Sequence, residues 1–381
     1  MRLLLVTTDF PPDLGGTQTY AFELAIRLND QFDRFAVVTL FVNDCDTVDS
    51  QLAFPVYRVH SSSDLFPIKA RSVIARLRKH ERYDSVFCVS WYAVVACLLV
   101  RLSSGPLRIF SAAHGRELIM NPVARIPLLA SIYRGFRSLV IRHGVNRFFA
   151  VSRYTRNVLI QIGVADSQVH VLNNGTNPNQ FFPEDASHIR ARLGVGDGPV
   201  IMTIGRLVQR KGIDTMIEAL PIVQDRIPGA VYVIAGSGPE LDSLQRLRKA
   251  LRLEHSVFFI GRVASDELRS YYNACDVFVL PAREAHEDVE GFGIVFLEAA
   301  ACGKPSIGTR TGGIPDAIIN GETGILVDPD APDQLAEAVI KILGEPDLAD
   351  LLGEGGLEHV RNTANWDMVA SKLAEWLKSD I

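Results

Sequence analysis

The stretch VFVLPAREAHEDVEGFGIVFLEAAACGKPSIGT, residues 277–309, divides into four parts. Val277–Leu280 is a short apolar run of strand length. A polar loop, PAREAHEDVEG, follows. From Ile294 the chain reads as a helix closed at Cys302–Gly303, where glycine suits a helix C-terminus. Ser306–Thr309 is a second short strand. Strand, helix and strand in succession make the parallel crossover unit, and its right-handed connection places the helix on one face of a sheet.

The same alternation runs outward in both directions. Downstream of residue 195 it gives strands Val200–Gly205, Ala230–Ala235, Val257–Gly261 and Gly324–Val327. The intervening helices are Asp214–Val223, Glu240–Leu251, Ser265–Ala274 and Pro332–Leu343. Upstream it gives strands Arg2–Thr8, Phe35–Phe41, Ser85–Ser90, Leu107–Ala113, Arg147–Ser152 and His170–Asn173. Helix Tyr20–Leu28 is expected to be capped by Thr17 or Thr19. A polar segment at 173–187, NNGTNPNQFFPEDAS, separates the two series. The fold class is therefore α/β, with two doubly wound, Rossmann-like domains facing a central cleft. Ligands are expected outside the carboxyl ends of the strands. A last helix, Asn365–Lys378, has no partner that the sequence identifies.

Composition narrows the function classes. No apolar run approaches the ~18–20 residues of a membrane-spanning helix. The opening MRLLLVTTDF meets Asp9 and Pro11 too early for a signal peptide. Five scattered cysteines in apolar contexts read as reduced core thiols, which places the chain in the cytoplasm. Charge is uneven: residues 1–195 hold 22 Lys+Arg and 15 Asp+Glu. Subtraction from the totals of 39 and 44 leaves 17 and 29, so the halves carry +7 and −12. An acidic second half without a recognisable module argues against nucleic acid. The basic excess gathers between Arg116 and Arg156, where eight arginines meet the single acid Glu117, and Arg125, Arg134, Arg137 and Arg142 interleave with Ile126, Leu129, Ile132, Tyr133 and Phe136 at near-helical spacing. That helix reads as a peripheral contact with an anionic membrane, as a lining of the cleft, or as a solvated face.

Candidate chemistry lies at strand ends. Glu290 stands just ahead of a helix N-terminus, and Glu298 one turn inside an almost wholly apolar helix. An unpaired buried carboxylate there would be costly, so a ligand-binding role is favoured for the pair. Gly291 and Gly293 allow close backbone approach. Arg206 and Lys211 bracket the loop after Val200–Gly205 and suit a phosphate. Gly15 and Gly16 precede a helix N-terminus and read as either a phosphate cradle or an ordinary turn. His114 ends strand Leu107–Ala113, where a structural role competes with a functional one. Asn173, Asn174 and Gly175 read as a plain turn. Neither GxxxxGK nor GxGxxG occurs, GSGPEL at 236–241 lacking the spacing.

Taken together, the N-terminal GG, HG, NNGTNPNQF, GRLVQRKG, AGSGPE and EGFGIVFLEAAACGKP…GGIPD resemble the retaining glycosyltransferases of family four, which have the GT-B fold. The resemblance spans nearly the whole chain. Within the family it is greatest to phosphatidylinositol mannosyltransferases and related GDP-mannose-dependent enzymes. It implies an N-terminal acceptor domain at 1–180, with the helix at 362–381 packing back on it, and a donor domain at 181–361. It further implies that Glu290 binds the donor sugar, helped by backbone N–H groups of Phe292 and Gly293 next to Gly291 and Ile294. Glu298 would hold the ribose, Arg206 and Lys211 the diphosphate, Gly16 beside Gly15 would approach that diphosphate, and His114 would contact the transferred sugar.

The expected reaction is hexose transfer, best matched to mannose from GDP-mannose, onto a hydroxyl of a lipid-linked or glycan acceptor with retention. The diphosphate would be neutralised by side chains, with no metal and no cofactor, and domain closure would assemble the site. Alternatives left open are a UDP-sugar-dependent glucosyl- or N-acetylglucosaminyltransferase, a sugar-nucleotide epimerase, a phosphorylase-like enzyme using pyridoxal phosphate, and a non-catalytic sugar-nucleotide binder.

Overall fold

A computed structural model of the protein describes residues 1–13, 15–119, 127–285 and 288–379; for residues 116, 117, 127–130, 132 and 134 it describes the backbone alone. The chain divides into two compact units, Met1–Asn174 with Trp366–Ile381, and Gly175–Asn365.

The first unit is built on seven parallel strands: β1 Arg2–Val6, β2 Arg34–Leu40, β3 Val56–Val59, β4 Ser85–Cys88, β5 Arg108–Ala113, β6 Arg147–Ala150 and β7 Val169–Val171. Their spatial order is β3-β2-β1-β4-β5-β6-β7. The chain winds from β1 to one edge, then returns beside β1 to build the other. The strand order therefore reverses between β1 and β4, where crossovers diverge and leave a crevice at the carboxyl ends. Leu3, Leu4, Leu5 and Val6 are wholly buried, as parallel strands covered on both faces require.

The second unit has six parallel strands: β8 Val200–Ile204, β9 Val231–Ala235, β10 Val257–Gly261, β11 Val277–Leu280, β12 Ser306–Thr309 and β13 Gly324–Val327. The order is β10-β9-β8-β11-β12-β13. The reversal here lies between β8 and β11. Helices Ile213–Arg226 and Pro332–Gly344 cover one face through Met216, Leu220, Leu335 and Val339, all wholly buried.

Every strand read from the sequence is present with its ends displaced by two residues at most. The addition is β3, a four-residue edge strand interrupted by Arg58, which pairs with Asp49 at 2.7 Å. Two further differences have local causes. Helix Gly16–Leu28 begins a turn earlier than expected, with extended Gly15 at its cap and no side-chain cap bond; Thr17 and Thr19 lie inside its first turn. The units part at residue 174 rather than 180, because Thr176 N–H donates to Ala364 C=O and the Phe181 ring packs on Tyr272, both in the second unit.

The terminal helix Trp366–Ser379 belongs with the first unit. Trp366 packs edge-on to Tyr20, Trp376 stacks on His170 at 4.6 Å, and Arg27 bonds Asp367 at 2.5 Å. The five cysteines are buried free thiols.

Candidate functional site

In the second unit, the loops leaving β8 and β11 flank the point of strand reversal. The β8 loop makes a 3-10 turn, Gln209–Lys211, ended by Gly212 at φ +63°, where an added Cβ would overlap the Pro281 carbonyl oxygen. Only glycine lets the two loops meet there. The turn delivers Arg210 and Lys211 side by side to the β11 loop. Lys211 Nζ donates to Glu290 Oε2 at 2.6 Å, and Arg210 Nη1 donates to the same oxygen. Arg210 Nε lies 3.2 Å from Asp288 Oδ2.

Behind this cluster, Arg283 N–H donates to Arg210 C=O at 2.8 Å, while its guanidinium engages Asp214, Thr215 and Asp330. The Glu290 backbone is fixed from the β12 side, its C=O accepting from Gly313 N–H at 2.9 Å. A Cβ on Gly312 would overlap that same carbonyl.

Burial alone would raise the Glu290 carboxyl, but Lys211 and Arg210 outweigh it and hold the group at about 2. Burial also works against the Lys211 ammonium. The carboxylate's lowering governs, because Glu290 has two cations whereas Lys211 shares its carboxylate with Arg210. Glu290 is thus an ionised, oriented acceptor.

Glu298 is differently placed. It lies in helix Ile294–Ala301, whose cap, Gly293 at φ +95°, brings no side chain to the first-turn N–H groups and leaves them suited to an anion. Gly291, Phe292, Gly293 and Ile294 form the turn into that helix. Tyr272 Oη donates to Glu298 Oε2 at 2.6 Å, and no ion pair forms among the described residues. Burial therefore prevails and raises the carboxyl to about 6, with Tyr272 and Lys211 opposing.

Arg206 completes the group. Its side chain is exposed and, among the described residues, makes no hydrogen bond or ion pair, while its C=O accepts from Val208 N–H at 3.0 Å. Its backbone is held by the β9 loop, where Leu207 N–H donates to Ser237 C=O. An added Cβ on Gly236 would overlap Gly205 C=O, and one on Gly238 would overlap Leu207 C=O. The GSG turn thus packs loop on loop.

The first unit holds its own candidates at strand ends. His114 follows β5 and meets the Tyr20 ring edge-to-face at 4.8 Å, and Tyr20 in turn meets Trp366 at 5.7 Å. Gly16, after β1, has open space where a side chain would stand, whereas a Cβ on Gly15 would meet Gln18 Oε1.

A cavity of about 510 Å³ lies at the opposite end of this sheet, lined by Arg101, Arg142, His143, Asn146 and Gln168. Its cations occupy the last turns of helices Trp91–Ser104 and Pro127–Gly144, where they offset helix C-terminal dipoles. It is no rival to the crevice.

The basic helix differs from its sequence reading. Arg137 is buried, stacked on Tyr133 at 5.6 Å, and Arg142 Nε donates to Ile162 C=O at 2.6 Å. Arg125 and Ile126 lie outside the described residues, as do the side chains of Leu129, Ile132 and Arg134. Among its described residues the helix exposes Phe136 at 50% and Leu139 at 60%, together with the cation Arg142 near its C-terminus.

Sequence reasoning missed Arg210 and Tyr272. Arg210 was visible as the first half of an Arg-Lys dipeptide, but nothing in the sequence says that both point at one carboxylate. Tyr272, 26 positions before Glu298, had no local signal.

Comparison with known proteins agrees with this fold. Residues 14–180 match the family model Glycosyltransferase Family 4, and residues 185–359 match Glycosyl transferases group 1. The chain is 35% identical over its full length, and 98% of the relative's, to the GDP-mannose-dependent alpha-(1-6)-phosphatidylinositol monomannoside mannosyltransferase of Mycobacterium tuberculosis. It is 30% identical, with coverage of 100% and 98%, to the monoacylated-substrate counterpart in Corynebacterium glutamicum. In fold it is similar to Anabaena HepE in complex with UDP, with a TM-score of 0.82, 21% identity and full coverage of both chains.

Proposed function

Because the chain belongs to the family 4 glycosyltransferases and is thus a glycosyltransferase of GT-B fold, we propose that it moves mannose from GDP-mannose to a hydroxyl of a phosphatidylinositol-based glycolipid, with retention. The observation that carries this reading is the cluster at the β8/β11 reversal: an ionised Glu290 on Lys211 and Arg210, an uncommitted Arg206, and a separate acceptor, Glu298. The full-length similarity to the mannosyltransferases supports the choice of donor and acceptor class.

The roles follow from charge. Glu290 accepts from the sugar hydroxyls and Glu298 from the ribose hydroxyls, since carboxylates accept and hydroxyls donate. As the glycosidic bond breaks, its electron pair moves to the leaving diphosphate, and the ring carbon becomes positive. Arg206, Lys211 and the first-turn N–H groups after Gly293 meet the growing negative charge. The acceptor oxygen bonds the ring carbon from the face the leaving group departs, and its proton passes to the leaving phosphate oxygen. Side-chain cations carry the neutralisation, so turnover is expected to be unchanged by EDTA.

The test is a thermal-shift screen with GDP-mannose, GDP, UDP-glucose and UDP-N-acetylglucosamine, followed by GDP release with and without EDTA. A ligand at 100 times its Kd stabilises by about 2.7 kcal/mol. Stabilisation by GDP-mannose and GDP is expected; stabilisation by the UDP sugars alone would reassign the donor.

We also propose contact with the membrane that holds the acceptor. Among the described residues no helix is long and apolar enough to cross a membrane, and the contact proposed is a peripheral one. Phe136 and Leu139, exposed three positions apart on helix Pro127–Gly144, are its anchors, each able to bury apolar surface at the headgroup level. Phe136→Ser with Leu139→Ser is expected to lower sedimentation with anionic vesicles severalfold. Unchanged sedimentation would remove the proposal.

A further inference from the structure

Lys211 is asked to serve two partners. In the ligand-free protein its ammonium sits on Glu290, yet the proposed reaction draws it to a diphosphate. A carboxylate losing one of its two cations to an anion that itself adds negative charge is left in an unfavourable field, unless the other cation stays behind. Arg210 is built to stay. Its guanidinium spans Glu290 and Asp288, and its carbonyl is pinned by Arg283, which is in turn tied to Asp214 and Asp330.

We propose, resting on the donor reading above, that Arg210 is a positioning residue: it holds the Glu290 carboxylate oriented and charged while Lys211 turns to the nucleoside diphosphate. It touches neither sugar nor phosphate and acts through Glu290 alone. A guanidinium suits the task because its fork engages two carboxylates at fixed angles and it remains charged at every relevant pH.

Among the described residues, the charged groups facing Glu290 are Arg210 and Lys211 from the β8 loop, with Asp288 reached through Arg210 from its own loop. Glu298, from the following helix, acts through Lys211. The β12 side presents backbone N–H. In the free protein either cation keeps Glu290 ionised. With diphosphate bound, only Arg210 does. Removing it therefore alters the donor-bound state far more than the free one.

The test follows the Glu290 carboxyl directly, by carbon-13 NMR of glutamate-labelled protein, with the resonance assigned through Glu290→Gln. Wild type, Arg210→Gln and Arg210→Lys are titrated with and without saturating GDP. The expected result is that GDP moves the Glu290 midpoint up by about one pH unit or more in Arg210→Gln. It moves little in wild type and in Arg210→Lys. In turnover, the acid limb of kcat, which reports the bound complex, shifts upward in Arg210→Gln, while that of kcat/KM, which reports the free enzyme, stays in place. GDP binding with the same Glu290 titration in Arg210→Gln as in wild type overturns this proposal alone. Failure of the wild-type protein to bind GDP, measured by calorimetric titration, overturns the donor reading and this proposal with it.

Discussion

Lys211→Ala is expected to lower turnover by about 100- to 1,000-fold while the protein stays folded, the range seen when one preorganised partner of a developing negative charge is removed. The ground state and the transition state use this side chain differently. Before bond cleavage the diphosphate charge is already present and partly met by Arg206. During cleavage the leaving oxygen gains a further share of charge, and a nearly buried ammonium meets it where the surrounding dielectric is low. The loss should therefore fall mainly on kcat. Folding is spared because Glu290 retains Arg210, so no buried carboxylate is left without a cation. Arg206→Ala removes an exposed cation with no structural partner, and its effect should fall on KM and kcat together. The check is release of nucleoside diphosphate under saturating donor, with melting temperature measured beside it. Turnover near that of wild type in Lys211→Ala would remove the assigned role.

Why so much of this arrangement was readable, and some of it not, follows from the range of each signal. A parallel strand covered on both faces is a local apolar run, so Val277–Leu280 and Ser306–Thr309 are visible residue by residue. The edge strand Val56–Val59 carries Arg58 and is only partly covered, and its pattern fails. Arg206, Lys211, Glu290 and Glu298 were legible because strand-end loops beside helix N-termini are where such sheets bind ligands. Pairing was not legible. That two cations share one Glu290 oxygen, or that Tyr272 reaches Glu298, depends on crossovers bringing together residues 79, 80 and 26 positions apart. The arginine-rich helix misled for the opposite reason: spacing placed Arg137 beside other cations, but its stem is long enough to fold back over Tyr133 and be buried.

Glu298→Gln should separate stability from binding. The folded-state carboxyl is raised to about 6 from an ordinary 4.5, because burial opposes ionisation. For a raised carboxyl the folded protein binds more protons than the unfolded chain between those values. Its contribution is fully present below about pH 4.5 and is lost as pH rises through 6. At pH 8 an ionised Glu298 therefore costs about 1–2 kcal/mol, which glutamine avoids while still accepting from Tyr272. The variant is expected to be the more stable protein at pH 8, with the difference closing toward pH 4.5. Taking the difference between variant and wild type removes the opposite slope contributed by Glu290. Donor binding should move the other way. Ribose hydroxyls donate to an ionised carboxylate more strongly than to an amide, so GDP affinity should fall about tenfold or more in Glu298→Gln at pH 8. Wild-type affinity should weaken as pH falls through 6, since binding must then expel a proton, whereas the variant's should stay flat. Paired melting curves and calorimetric titrations with GDP across pH 5–8 measure both. A variant that binds GDP as tightly as wild type at pH 8 would show that Glu298 is a buried structural acid and not the ribose acceptor.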